Sequence, residues 1–374
     1  MTTGETGETG MTDDSFRQDQ TPITKIRSAP RGPLPGLPGV VISKIYATVV
    51  ARRNAQFDEG LGVVEASVPV ICVGNISVGG TGKTPMVRHI VHLLQDANHR
   101  PAVLLRGYKA EPGKPSDEEA EHQRALPDVP VIADPKRARA LARFCATDEG
   151  ALIDCAVLDD GFQHRKLARD LDIVLIDSAR DPWRDRPLPA GWLREPTTAL
   201  ARAGAVILTH AELIDEPSLD RLRALIERDH GKPPIAVVAH DWEALDVFES
   251  GADRTEPLDW LKNKRVFPVC AIAAPEGFFE RIRTAGGVAT GELPLPDHDP
   301  FRTSTIDRLR RRARNTGAEA IVCTAKDWTK LARTKPEKWP CPIVRPRLTL
   351  RFIHGKDALT ELVLDAVERA GRGV

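Results

Sequence analysis

Residues Val68–Val87 read VPVICVGNISVGGTGKTPMV, a short apolar run that opens into a glycine-rich loop ending in Gly82-Lys83-Thr84. A buried strand, a tight loop and a helix start make the layout of a P-loop. Across Ser77, Val78, Gly79, Gly80, Thr81 and Gly82, the glycines let backbone N–H groups turn inward around a polyphosphate. The Lys83 ammonium reaches the outer phosphates, and the Thr84 hydroxyl takes a place on Mg²⁺. Val70, Ile71, Cys72 and Val73 supply the strand. The helix, Pro85 to about Asn98, carries Val87, Ile90, Val91 and Leu94 at helical spacing and points its positive end at the same anion. Ser77 stands where the usual pattern has its first glycine. A glycine-rich turn with a chance lysine is the bland alternative, and the strand and helix on its two sides count against it. The chain is read as binding a nucleoside triphosphate.

With 374 residues the chain is long enough for two domains and a sizeable core. Lys+Arg and Asp+Glu both total 53, giving zero net charge, which argues against a dedicated nucleic-acid binder. Six cysteines (Cys72, Cys145, Cys155, Cys270, Cys323, Cys341) form no C-x-x-C pair, so neither a zinc site nor a disulfide framework is expected. Residues 1–36 hold TGETGETG and Pro/Gly-rich stretches and read as a disordered leader. No stretch approaches the ~18 uninterrupted apolar residues of a membrane span. Between Leu37 and Arg53, Ile42, Ile45, Tyr46 and Val49 form a helical stripe with Lys44, Arg52 and Arg53 nearby. Periodicity alone leaves two readings open, a helix lying in a membrane interface and a first helix packed on its own domain.

Apolar runs at Val70–Val73, Ala102–Leu105, Ala156–Leu158, Ile173–Ile176 and Ala205–Leu208 alternate with helical patterns, which predicts a mostly parallel sheet covered by helices. A second series follows at Ile235–Val238, Val266–Ala271 and Ala320–Cys323, with Ile343–Leu350 as a further extended segment. The expected fold is α/β, a P-loop NTPase-type domain over residues 56–232 and a second, smaller α/β domain over 233–374. The amphipathic last helix, Ala358–Ala370, can dock on either domain.

The next informative stretch is Val157-Leu158-Asp159-Asp160-Gly161-Phe162-Gln163-His164. An apolar strand ending in carboxylates is what a P-loop enzyme uses to hold Mg²⁺ or its water shell. An acidic turn at a strand end is the competing reading.

GNISVGGTGKTP, LLRGYK, LDDGFQHR and LPAGWLREP occur in this order, and together they resemble the tetraacyldisaccharide 4′-kinase (lipid A 4′-kinase) family over roughly residues 34 to 370. The resemblance implies transfer of the γ-phosphoryl of ATP to the 4′-hydroxyl of a tetraacylated glucosamine disaccharide 1-phosphate, giving lipid IVA. It also implies peripheral attachment at the cytoplasmic face of the inner membrane of a Gram-negative bacterium. It tips residues 37–55 towards an interfacial helix. By position it puts Ser77 to Thr84 around the phosphates and Thr84, Asp159, Asp160 and Glu195 at the metal. Arg106, Tyr108, His164 and Arg194 fall near the substrate, and Arg137 matches a phosphate-facing arginine. The family's G-D-E-P segment is missing; Ser116-Asp117-Glu118-Glu119 is the nearest equivalent, which makes Asp117 the candidate near the sugar hydroxyl. His298, in Leu295–Phe301, matches a family D-H motif, and the two would share acceptance of the hydroxyl proton. The run Arg308, Arg310, Arg311, Arg312 and Arg314 suits either anionic lipid or a solvated helix face. The alternative function is a P-loop GTPase-type switch or metal-insertion NTPase. The lack of N-K-x-D and of Cys/His clusters argues against it.

Overall fold

The computed structural model describes residues 32–107, 115–272, 275–296 and 299–371, with the side chain of Asp117 left out. It begins with helix α1 (Gly36–Asp58), entered from an extended Pro35. Strand β1 (Val70–Asn75) is buried throughout and leads through the glycine loop into α2 (Lys83–Asp96), which turns Met86, Val87, Ile90, Val91 and Leu94 to the core. There follow β2 (Pro101–Leu105), α3 (Asp117–Ala125), β3 (Val131–Ala133), α4 (Arg137–Cys145), β4 (Cys155–Asp159), β5 (Leu171–Asp177), β6 (Ala205–Thr209) and α5 (Glu216–His230). Helix α3 starts with a complete capping box, Ser116 with Glu119. Helix α5 runs from an Asp215 cap to a left-handed Gly231.

The remainder comprises β7 (Ala236–Glu249), β8 (Ala252–Glu256), β9 (Arg265–Cys270), α6 (Pro275–Thr284), β10 (Val288–Ala289), β11 (Leu293–Pro294), α7 (Thr303–Asn315), β12 (Ala320–Val322), α8 (Ala325–Leu331), β13 (Ile343–His354) and α9 (Lys356–Gly371). The strands join into one sheet in the order β10-β9-β12-β13-β7-β6-β5-β1-β4-β2-β3, with β11 on β9 and β8 on β7. Every pairing is parallel except β7 with β13 and β7 with β8. Hydrogen bonding therefore continues across the region near residue 233, carried by the long β7. Its first residues pair with β6 and its later ones with β8.

Helices cover both faces, as an α/β sheet requires. On one face α2 packs with α9, whose Leu359, Val363, Ala366 and Val367 share a core with Ile71 and Ile90. On the other, Leu219, Leu222 and Ile226 of α5 meet Val174, Val206 and Leu208. From β1 the chain runs outward through β2 and β3, returns in β4, then crosses to β5 on the far side of β1. The crevice at the carboxyl ends of β1 and β4 is thus a topological switch point, where open α/β sheets bind ligands.

Helix α1 lies apart from this core, with its apolar stripe turned outward. Leu37, Val41, Ile42, Ile45 and Val49 are exposed, by 81% at Leu37 and 61% at Ile45. Its polar side chains make the attachments instead. Ser43 Oγ donates to Pro187 O at 2.7 Å, Tyr46 OH to Arg194 O at 3.0 Å, and Asn54 Nδ2 to Glu195 Oε2 at 2.7 Å.

Candidate functional site

The loop between β1 and α2 is held from beneath and from both sides. Asn75, fully buried at the end of β1, donates from Nδ2 to Thr81 Oγ1 at 3.0 Å, and its carbonyl accepts from Gln163 Nε2 at 2.8 Å. The Thr81 carbonyl accepts from Thr209 Oγ1 at 3.0 Å, which ties the loop to the end of β6. On the other flank Val78 N donates to Trp192 O at 2.8 Å and Arg194 N to Ile76 O at 2.8 Å. Two glycines occupy the left-handed side of backbone space, Gly79 at φ 130° and Gly82 at φ 80°, where a side chain would be strained. Gly79 and Gly80 are exposed, so their backbone faces the crevice edge rather than the core.

Asp159 and Asp160 end β4 beside this loop, since Val73 of β1 pairs with Asp159. Asp160 takes a positive φ of 51°, a conformation aspartate tolerates better than most residues. Three cations meet it. Lys83 Nζ lies 3.5 Å from Oδ1, and Arg194 Nη1 donates to Oδ1 at 2.7 Å and Oδ2 at 2.9 Å. The buried Arg137 donates from Nη1 to the Asp160 carbonyl at 3.2 Å. Burial works to raise the Asp160 pKa, but Lys83, Arg194 and Arg137 outweigh it and hold the carboxyl down at about 2. A depressed carboxyl stabilises the fold above the ordinary carboxylate range, and this stabilisation is lost as the pH falls towards 2. Arg137 is itself pulled below the usual guanidinium value, first by burial, and its Nε has no partner among the described residues.

Asp159 is buried and accepts at Oδ2 from His122 Nε2 of α3, 2.9 Å away. Glu118, one helical turn before His122, has its pKa raised by burial and then by Asp159 and Asp160, which places it in the same field. His164 is lowered to about 4, by burial first and then by Arg137, Arg169, Lys166 and Arg106, so it is neutral at ordinary pH. Arg106 follows β2 at the same end of the sheet.

Glu195 sits otherwise than a metal ligand would. It is 1% exposed, with Arg202 Nη2 at 2.8 Å from Oε1 and Asn54 Nδ2 at 2.7 Å from Oε2, and Arg202 Nη1 also reaches Oε2 at 2.8 Å. Both oxygens are engaged, and the carboxylate fastens the Leu193–Pro196 turn to α1. Tyr108 and His298 lie outside the described residues. Asp117 is the first residue of α3, described by its backbone alone.

Two histidines behind the loop, His210 and His240, lie in no sequence motif. His210, at φ 54°, donates from Nδ1 to Asp177 Oδ1 at 3.0 Å and stacks on His240 with ring centroids 4.0 Å apart. Burial works to lower the pKa of His210, but Asp177 prevails and raises it. His240 is driven well below its usual value by burial, His210 and Arg281. A Cβ built on Gly82 would stand 2.5 Å from His240 Nε2. The His240 carbonyl accepts from Arg281 Nη1 of α6 at 2.7 Å, so the loop touches β7, and β7 in turn is held by the C-terminal half.

The loop, the ionised Asp160 and the surrounding Lys83, Arg137 and Arg194 suit a bound polyphosphate, with Asp159, Asp160 and the Thr84 hydroxyl as hard oxygen donors for a divalent cation. A profile of the family described as tetraacyldisaccharide-1-P 4′-kinase matches residues 39–368. A tetraacyldisaccharide 4′-kinase from Anaeromyxobacter sp. (strain Fw109-5) is 36% identical over 361 residues, covering 92% of this chain and 95% of its own length. One from Porphyromonas gingivalis is 36% identical over 316 residues, 78% of this chain and 85% of its own. A crystal structure of LpxK from Aquifex aeolicus in complex with ATP superposes with a TM-score of 0.66 at 28% identity, covering 88% of this chain and 98% of that one.

Proposed function

Because the chain belongs to the tetraacyldisaccharide-1-P 4′-kinase family, we propose a residue-level account of how it phosphorylates its lipid A precursor and where it meets the membrane. The enzyme is an ATP-dependent kinase of lipid A biosynthesis; the reading as a GTPase-type switch is not favoured, since the family and the relatives are kinases. The observation that carries the account is the convergence of Lys83, Arg194 and Arg137 on Asp160 beside the glycine loop.

In this account the loop residues Ser77 to Thr84 cradle the triphosphate, and Lys83 and Arg137 face its outer oxygens. Phosphoryl transfer needs donor and hydroxyl aligned and the charge on the equatorial oxygens neutralised. Thr84, Asp159 and Asp160 would hold Mg²⁺, which when bound neutralises charge shared between the outer phosphates. The fit rests on the donor set, hard oxygens with Asp160 kept ionised. Arg194 fixes the orientation of Asp160 through its two short contacts. Glu195 serves the site indirectly, by holding the Arg194 turn against α1. Asp117, at the start of α3, accepts the sugar hydroxyl proton with His298 as its partner, and Arg106, Tyr108 and His164 line the acceptor side. Transfer of label from γ-labelled ATP to a purified tetraacyldisaccharide 1-phosphate, with the new phosphate located at the 4′ position, is the expected result. Hydrolysis of ATP with no lipid phosphorylated overturns the account.

The acceptor is a membrane lipid, and the outward apolar stripe of α1 supports peripheral docking on the cytoplasmic face of the inner membrane, where ATP is present. No described helix is long and apolar enough to cross a membrane. Five exposed apolar side chains entering the acyl boundary would each contribute roughly 1 kcal/mol or more. Ile42→Glu with Ile45→Glu is expected to abolish most co-sedimentation with anionic vesicles while leaving the fold intact, because both side chains point to solvent. Transfer to a detergent-dispersed short-chain acceptor should persist. Unchanged vesicle binding places the anchor elsewhere, with the exposed Arg308, Arg311, Arg312 and Arg314 of α7 as the next surface to test.

A further inference from the structure

Helix α3 opens on Ser116-Asp117-Glu118-Glu119 and carries a histidine that no motif announces. Glu118 and His122 are four residues apart on one face of α3. His122 is 0% exposed, and its Nε2 lies 2.9 Å from Asp159 Oδ2. A carboxylate oxygen accepts, so the ring donates to it from Nε2–H, and the buried Nδ1 has no partner among the described residues. A buried ring nitrogen left bare is a cost that an aliphatic side chain would avoid. The contact to Asp159 is what the histidine supplies in return.

We propose that His122 is a positioning residue of the phosphoryl-transfer site. Its Nε2–H holds Asp159 Oδ2, which leaves the other oxygen of that carboxylate to face the crevice. The same bond ties α3 to the end of β4 one turn beyond Asp117 and Glu118. One hydrogen bond thus fixes the spacing between the metal-side carboxylate and the helix that offers a base to the sugar hydroxyl. Other contacts keep α3 folded whether or not this bond forms. Ser116 and Glu119 complete the capping box, and Arg88 Nη2 of α2 reaches Glu121 Oε1 at 2.7 Å. The inference rests on the reading of Asp159 as a metal-side carboxylate, and partners that orient such ligands typically change metal affinity or activity by about 10–100-fold when removed.

The test compares the full-length enzyme with His122→Ala, His122→Gln, His122→Asn, Asp159→Asn and the His122→Ala/Asp159→Asn pair. Mn²⁺ binding in the presence of a non-hydrolysable ATP analogue is followed by electron paramagnetic resonance, alongside kcat and both KM values. His122→Ala should weaken Mn²⁺ binding about tenfold and lower kcat with little change in the KM for ATP. His122→Gln, whose terminal amide reaches as far as Nε2, should restore most of the binding, while the shorter His122→Asn should not. The pair should bind Mn²⁺ no worse than Asp159→Asn alone, because the two groups act as one. If Asp159→Asn leaves Mn²⁺ binding unchanged, the metal reading itself fails. If Asp159→Asn weakens binding and a folded His122→Ala does not, the positioning role is wrong. Should His122→Ala fail to fold, Gln and Asn decide the matter, and equal Mn²⁺ affinities for those two overturn the proposal.

Discussion

Lys83→Ala is expected to fold normally and to lose about 10²–10³-fold in kcat, the scale for removing one preorganised charge partner of a developing oxyanion. The fold should tolerate it because Arg194 and Arg137 remain on Asp160. An ion pair at 3.5 Å with a partly exposed carboxylate contributes no more than about 1 kcal/mol. The position is fixed by the backbone: Lys83 is the first residue of α2, and the left-handed Gly82 before it aims the side chain across the loop towards Asp160. Lys83→Arg should not restore the rate, since a planar fork does not occupy the place of a compact ammonium. Single-turnover transfer from labelled ATP, with circular dichroism as the folding control, reads the effect. A folded Lys83→Ala with near-parent kcat would remove Lys83 from the phosphate-facing role.

The strands that carry this chemistry were legible in the sequence because each is buried on both faces. Val70–Val73, Ala156–Leu158 and Ile173–Ile176 are continuous apolar runs, and β1, β4 and β5 contain them. β7 was less legible. Its apolar residues predict a strand only at Ile235–Val238, but the strand continues to Glu249 through Asp241, Glu243 and Asp246. These polar residues alternate with the buried Trp242, Leu245 and Val247, and Asp246 is matched by Arg345 and Arg347 from β13. The pairing that makes them acceptable in a strand lies about a hundred residues away, where no local window reaches. The same limit applies within the site. The P-loop and the LDDGFQH stretch are local patterns, whereas His122 and Asn54 reach Asp159 and Glu195 only through the fold. A single histidine in a polar helix carries no periodic signal of what it touches.

That distant contacts shape the loop can be tested most sharply at Gly82→Ala, which is expected to cost about 10²-fold or more in ATP affinity while leaving the overall fold in place. Two effects add. At φ 80° an L-residue pays roughly 1–2 kcal/mol in backbone strain. The new methyl would also stand 2.5 Å from Nε2 and 2.6 Å from Cε1 of His240. Moving the ring away is not cheap, because it is buried, lies against His210 at 4.0 Å between centroids, and sits on a strand whose carbonyl is held by Arg281. The loop must give way instead, shifting the backbone N–H groups at the start of α2 that are proposed to face the phosphates. Gly82→Ala combined with His240→Ala removes the clash and keeps the strain, so affinity should return only in part. His240→Ala alone should leave ATP binding close to the parent, since both ring nitrogens lack partners among the described residues and no hydrogen bond is lost. Calorimetric titration with a non-hydrolysable ATP analogue separates these contributions. If the double variant binds no better than Gly82→Ala, backbone strain is the whole effect and the ring does not shape the loop. If Gly82→Ala itself binds like the parent, the left-handed turn is not needed to present the phosphate-facing amides.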